Sequence, residues 1–434
     1  MRKVINQMKH STKRGLRVAS AAAVAALALG TLSGCAGASE SKTFTVWWYS
    51  GEDTAQYKAW TAALEELKAA HPDVTVNFEF KTWEQIEKSG NSILDSDKAP
   101  DVSEWNKGNG TAGAASAAGL LTNLNDYAKK YGWDTTLPAS AQAVGRYTDG
   151  IMGQGDLYGI PTYGEYVGYF VNDDILKANG IDAASLATNA DFEAAMDKLV
   201  AAGITPITAA DYMLVHLAYN MTLNTADQDW VNAYQFFTAP VDFNDAQFTD
   251  SSTTLQRWVQ KGYIASSASG ATADDAVAGF TSGASPFMPG GTWLDGTVAG
   301  AATFNWSKML APGNPVSTGS AGNVWVIPAK GHNADLAAEF INLTLQPKYQ
   351  DMMANDGGLP LLANIDNVTD PTTLKTLPLF NELVASNGLG FYPDWPVSGY
   401  YDILKAAVID LVAGNTTPEQ YREAIGSYYE ENKP

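Results

Sequence analysis

The chain has a single cysteine, Cys35, directly after Leu32-Ser33-Gly34. Small residues at that point admit a chain to a peptidase site. A Cys immediately after them supplies the thiol, the nucleophile that lipid attachment requires. With its only thiol used in this way, the chain can form no internal disulfide. Other reactive chemistry has little to work with. His71, His216 and His332 lack metal-ligand spacing, and there is neither an HExxH helix nor a GxSxG elbow. Retaining glycoside hydrolysis needs two carboxylates about 5 Å apart, one with a raised pKa. Glu104, Asp156, Glu165 and Asp295 are available, but none lies in a recognisable signature. The reading is therefore of no catalytic residue, no metal and no cofactor.

Gly108-Asn109-Gly110-Thr111-Ala112-Gly113 fits the spacing of a dinucleotide fingerprint. No strand ending in an acid follows at the required distance, so pyrophosphate binding is set aside. Two uses remain for these glycines: close approach of backbone to ligand hydroxyls, or a flexible loop. Aromatic side chains are the richer resource. They make up 11% of the chain, with 12 Trp and 20 Tyr, against a charged fraction of 17%. Such rings fill cores, and Trp and Tyr also give rigid, amphipathic platforms for partly polar ligands.

The elements that must position these groups begin after a targeting segment. Six basic residues (Arg2, Lys3, Lys9, Lys13, Arg14, Arg17) precede an apolar run, Val18 to Leu32, about half the length that spans a bilayer. With Leu32-Ser33-Gly34-Cys35 this resembles a bacterial lipoprotein leader. Residues 1–34 are read as signal peptide and 35–42 as a tether. Loss of the leader takes the formal charge from −20 to −26, which disfavours nucleic acid and anionic lipid as partners.

Phe44 to Tyr49 reads as a strand. Tyr57, Trp60, Leu64 and Leu67 read as a helix ending at His71-Pro72, and Val74, Val76, Phe78 and Phe80 as a second strand. This βαβ unit sets an α/β fold. Asp101 to Trp105 is a further strand. The middle of the chain is mainly helical, and strand-like pieces return at 284–289 and 324–328. Helices 334–345 and 400–413, and one after Pro418, close it. About 400 residues exceed one core, so two lobes are expected, and without a polar linker they should be interwoven.

Ordered pieces along the mature chain resemble the extracellular solute-binding proteins of ATP-driven sugar importers, the group that includes maltose-binding protein. These are Ala99-Pro100-Asp101-Val102, Gly119-Leu120-Leu121-Thr122-Asn123-Leu124 and Tyr158-Gly159-Ile160-Pro161, then Gly168 to Leu176 and Gly203 to Ile207. Phe280-Thr281-Ser282-Gly283 leads to Gly290-Gly291-Thr292-Trp293, and Ala337 to Ile341 precedes Gly358-Leu359-Pro360. Actinobacterial members look most alike. The resemblance implies a type II periplasmic-binding-protein-like fold, two α/β lobes joined by three crossings near 161–163, 303–306 and 359–360. Residues 43–161 and 306–358 would form the N-terminal lobe, and 162–305 and 359–434 the C-terminal lobe.

The same resemblance nominates ligand-binding residues. Trp105 would face the cleft, with Asn106, Lys107 and Asn109 following it in the loop. Glu165 lies just past the first crossing, where the family has a carboxylate. Tyr212 and Trp293 match aromatic positions of the second lobe, and Tyr401, with Tyr400 and Trp395, a further one near the third crossing. Of Trp47 and Trp48 at the end of the first strand, alternation buries one and leaves the other at the rim. Lys107 has solvation as an alternative, and one of Tyr400 and Tyr401 is expected in the core. The acidic pair of maltose-binding protein is only loosely matched by Glu52-Asp53, which turns the reading away from maltose itself.

The implied function is capture of an oligosaccharide in an interlobe cleft and delivery to two membrane permease subunits. The protein would be a monomer, held on the outer face of the cytoplasmic membrane by lipid at Cys35. The alternatives are a lipid-anchored glycoside hydrolase, or a binder of peptide or another solute on the same fold.

Overall fold

Strand β1, Lys42–Trp48, alternates its side chains across the pleat, and the two faces have different fates. Phe44, Val46 and Trp48 enter one apolar cluster, while Trp47 enters another. The computed structural model describes residues 42–434, so the leader and Cys35 lie outside the described residues. Parallel to β1 run β2, Val74–Phe80, on one side and β3, Val102–Trp105, on the other. The helix Ala55–Ala70, capped by Thr54 accepting from Tyr57 N, makes the crossover between β1 and β2. Its Trp60 and Leu64, with Phe340 and Ile341 of helix Ala334–Thr344, cover the Phe44 face.

After β3 the chain forms a small sheet of β4 (Arg146–Thr148), β5 (Ile151–Met152) and β6 (Asp156–Leu157). The chain then adds β7, Ile160–Pro161, to the edge of the first sheet and passes at once into β8, Gly164–Asn172. Every residue of β8 is buried. β9, Phe287–Gly291, pairs with one edge of it. β10, Trp306–Met309, and β11, Gly319–Ala321, share the other. β12, Val324–Val326, returns to the first sheet between β3 and β7, giving the order β2-β1-β3-β12-β7. Helices Asn189–Ala201, Tyr212–Leu223, Ala246–Gln260 and Tyr400–Ala413 pack the second sheet into its own core.

These pairings correct one boundary. The expected division puts residues 306–321 in the N-terminal lobe, yet β10 and β11 both hydrogen-bond to β8 of the second sheet. The second passage between sheets is therefore the two-residue step Gly322-Asn323, between β11 and β12, and not 303–306. The passages are tied to each other. Gly322 N donates to Tyr163 O (2.5 Å), and Gly164 N to Leu359 O (2.6 Å). The Gln350 side chain donates to Thr162 O and accepts from Leu361 N and Leu362 N, at 2.9 to 3.1 Å.

A buried ion pair fixes the second sheet to the helix Asp295–Ala301, just beyond β9. Lys308 of β10 donates to Asp295 Oδ1 at 2.6 Å, both side chains being at most 1% exposed. The ammonium lies 4.2 Å from the centre of the Phe170 ring. Burial pushes the Asp295 carboxyl up to about 6, with Lys308 opposing the rise. Replacing Lys308 by Met strands a carboxylate in this core. Urea unfolding should show a loss of about 3–5 kcal/mol, partly recovered in the Lys308→Met/Asp295→Asn double variant.

Candidate functional site

The faces of the two sheets that look toward each other share one apolar cluster. Trp47, Trp105 and Val324 come from the first sheet, Val167 and Ala321 from the second, and Tyr392 and Trp395 from the loop before helix Tyr400–Ala413. Tyr49, Phe236, Trp293 and Phe391 pack at its border, partly exposed.

A charged network lies against it. Lys107, in the loop after β3, forms an ion pair with Glu165 of β8, and the ammonium is 1% exposed. It also donates to Asn323 Oδ1 at 3.0 Å, and Asn323 Nδ2 donates to Glu104 Oε1 at 3.1 Å. Glu104 accepts further from Ser50 Oγ and from the backbone amides of Tyr49 and Ser50, each at 2.9 Å. Burial pushes the Glu104 carboxyl up in spite of these donors, and it pulls the Lys107 ammonium down against the attraction of Glu165. The same ammonium sits 5.2 Å from the Trp395 ring and 5.5 Å from that of Tyr392, within cation–π range. Lys107 is thus not a solvated side chain.

From Trp395 a row of rings runs along the second lobe. Tyr392 is 5.1 Å from Trp395 and 6.3 Å from Trp293, and Trp293 Nε1 donates to Tyr212 Oη at 3.2 Å. His216, one turn beyond Tyr212, lies 5.6 Å from the rings of Tyr212, Trp293 and Tyr392 alike. The Trp293 ring lies over its own strand end, where a Cβ on Gly291 would collide with it. Glycine there is a steric requirement of the ring's position. Beside Trp293 a small recess of about 20 Å³, open to solvent, is bordered by Asp53, Gln56, Thr292, Gly296 and Gly357 to Leu359.

The expected residues divide. Lys107, Glu165, Tyr212, Trp293 and Trp395 are brought together in this row and network. Trp47 faces the same cluster, under Lys81 at 4.2 Å. Trp105 does too, but its six-membered ring is pressed on helix Trp83–Leu94, where Gly90 leaves room for it. Tyr401 is half-buried and meets Trp83 edge-on at 5.1 Å. Asn106 turns back on the chain, its Oδ1 accepting from Lys107 N at 3.0 Å, and Asn109 donates to Gln235 O (2.6 Å) and accepts from Met152 N (2.8 Å).

Two expectations are corrected. Trp48 is in the core of the first lobe, among Tyr57, Trp60, Phe78 and Trp325, because the pleat sends it opposite to Trp47. Tyr400 is in the core of the second, its hydroxyl donating to Ile425 O at 3.1 Å and its ring stacked on Tyr428. Trp83, His216, Asn323 and Tyr392 were missed. A capping box, Thr82 with Gln85, announces the helix that carries Trp83. Tyr392-Pro393-Asp394-Trp395-Pro396 is an aromatic loop stiffened by two prolines. Among the described residues no group of His, Cys, Asp or Glu has the arrangement of a metal site, and no helix is long and apolar enough to cross a membrane.

A family model described as "Bacterial extracellular solute-binding protein" matches residues 51–351. Several solved structures share the fold. One is described as a chitin oligosaccharide binding protein, with a TM-score of 0.78 at 20% identity, over 91% of this chain and 99% of that one. The GacH receptor of Streptomyces glaucescens GLA.O, solved unliganded and with acarbose, has a TM-score of 0.71 at 19% identity, over 90% and 98%. The substrate-binding protein Lmo0181 of Listeria monocytogenes, solved with cycloalternan, has 0.71 at 20%, also over 90% and 98%. No curated protein matches the chain in sequence.

Burial pulls the His216 imidazole down to about 3. The unfolded chain therefore takes up a proton near pH 6.5 that the folded chain refuses until about pH 3. Stability should fall by up to about 1.4 kcal/mol per pH unit through that window as acid is added. Urea titrations of His216→Gln, set against the parent from pH 7 to 4, should show that fraction of the acid slope removed.

Proposed function

This chain belongs to the bacterial extracellular solute-binding proteins, and from that premise we propose that it captures an oligosaccharide between its lobes for an ATP-driven importer. The carrying observation is the join of aromatic rings from both lobes over a floor of fixed charges. A sugar unit has an apolar C–H face and an equator of hydroxyls. Flat rings suit the face, and hydroxyls taken out of water need partners, since each left unpaired costs about 1–3 kcal/mol. Trp293, half-buried beside the open space and held by Tyr212, is the ring best situated to stack on a sugar. Tyr212, Tyr392 and Trp395 continue the platform, and Glu165, Lys107 and Asn323 supply acceptors and donors. Neighbours of the same fold are described with chitin oligosaccharide, acarbose and cycloalternan, which favours a ligand of two or more sugar units.

Release of an intact ligand is part of the proposal. Each carboxylate that a hydrolase reading would use is already engaged. Glu104 accepts four bonds, Glu165 pairs with Lys107, Asp295 with Lys308, and Asp156 accepts from Asn125 Nδ2. Delivery would be to two permease subunits, with Cys35 lipidated and the chain a monomer on the outer face of the membrane. The lobes move as bodies about the passages at 162–163 and 322–323 and a third near 359–360. Ligand shifts that motion only by its extra affinity for the closed form.

Calorimetry with xylo-, galacto-, manno-, gluco- and milk-type oligosaccharides, and with peptides, tests the proposal, chromatography of the recovered sugar being run alongside. Heat of binding with unchanged sugar is the expected result. Shortened sugar would mean a hydrolase, and heat from peptides alone would move the ligand class. For whichever sugar binds, Trp293→Ala should weaken binding by about 2 kcal/mol, and wild-type affinity in that variant would remove Trp293 from the site.

A further inference from the structure

The glycine loop after β3 combines two properties that a ligand-contacting loop does not need. It is rigidly held by its own lobe, and its outward groups are consumed by the other. Within the first lobe, Asn109 Oδ1 accepts from Met152 N at 2.8 Å and Gly108 N donates to Tyr147 Oη at 3.3 Å. A Cβ on Gly113 would strike the carbonyl of Gly150, so the loop lies flush on the small sheet.

Toward the second lobe, Asn109 Nδ2 donates to Gln235 O at 2.6 Å. Gln235 is in the last turn of helix Gln228–Phe236, where carbonyls have no helical donor and project partial negative charge. The amides of Asn109 and Gly110 both donate to Trp395 O, at 2.9 and 3.1 Å. A Cβ on Gly108 would come within 2.6 Å of Trp395 Cβ, and one on Gly110 within 2.8 Å of Val397 O. Backbone meets backbone along this seam, and Ser398 Oγ closes it by donating to Gly110 O at 3.3 Å.

We infer that Asn109, on its glycine loop, is a latch between the lobes, which sets ligand affinity through closure and not through contact with the ligand. The arm is built in one lobe and the catch in the other, so the latch adds the same bonds to the closed form with any guest. A latch of this kind favours the closed state by the same factor for every ligand, because its bonds are identical in all complexes. Glycine at 110 is demanded by the approach of the other lobe. Its φ is not in the left-handed region, and the atoms nearest its missing Cβ all belong to residues 397 and 398. Asn109 is accordingly a positioning residue. The inference rests on the capture reading only in that capture requires closure.

Two variants of the full chain test it, Asn109→Ala, which removes the crossing bond, and Gly110→Val, which wedges the seam. Small-angle scattering without ligand should give a larger radius of gyration for both than for the parent. Calorimetry over the oligosaccharides that bind the parent should show about fivefold weaker affinity for Asn109→Ala, the same factor for each sugar; the bond to Met152 N is lost from open and closed forms alike, so one hydrogen bond between lobes sets the factor. Scattering curves that coincide with the parent's for both variants would overturn the latch. So would a loss confined to some of the sugars, which would make Asn109 a ligand residue. If no carbohydrate binds the parent, the capture proposal fails, and the scattering comparison still decides the latch.

Discussion

An ammonium group closed off between two lobes must have its counter-charge delivered there by the fold. Lys107 leaves the first sheet at the end of β3, Glu165 starts the second sheet at β8, and their ion pair is almost wholly buried. An unpaired charge in that place would cost several kcal/mol, so the geometry that joins them is not free to drift. It is set by how little chain separates the sheets: two residues between β7 and β8, and two between β11 and β12. Asn323, in the second of these steps, reaches Lys107 on one side and Glu104 on the other. One polar chain thus registers both lobes at the place where they are nearest, and the aromatic rings around it keep water away.

The rings follow the same logic of sidedness. Consecutive tryptophans 47 and 48 part company because a strand alternates its faces, one going to the cleft and the other to the core. Tyr400 and Tyr401 part for the helical equivalent, about 100° of rotation per residue. What distinguishes Trp293 is that its ring lies over Gly291 at a strand end, with one edge bonded to Tyr212 and another beside open space. Such a ring is fixed before a ligand arrives, so little conformational entropy is lost in binding.

Much of this was legible in the order of residues, for identifiable reasons. β1, the helix after it and β2 carry clean periods of 2 and 3.6, and their extents differ from expectation by only a residue or two at the ends. β8 was harder to read as a strand, because Gly164–Asn172 is covered on both faces and so lacks alternation. Helix Thr373–Ala385 was hidden by Pro378 inside it. The boundary at 306 failed for a different reason. A short strand such as Trp306–Met309 shows that it pairs, but not with which sheet. Lys107 and Glu165 lie 58 positions apart, and no local pattern marks them as partners. Asn109 was nominated as a ligand residue from the resemblance, by its place in the loop after Trp105. Its side-chain amide donates to a helix end of the opposite lobe, a partner 126 positions away that no local pattern marks.

The central claim is that two lobes shut on an intact sugar, and a distance across them measures it most directly. Nitroxide labels at exposed positions 129 and 194, one on each lobe, report the separation by pulsed electron paramagnetic resonance. The account predicts that a binding oligosaccharide narrows a broad distribution to a single peak, and that the sugar is recovered unchanged. The same distribution with and without every oligosaccharide, or recovery of shortened sugar, would contradict it.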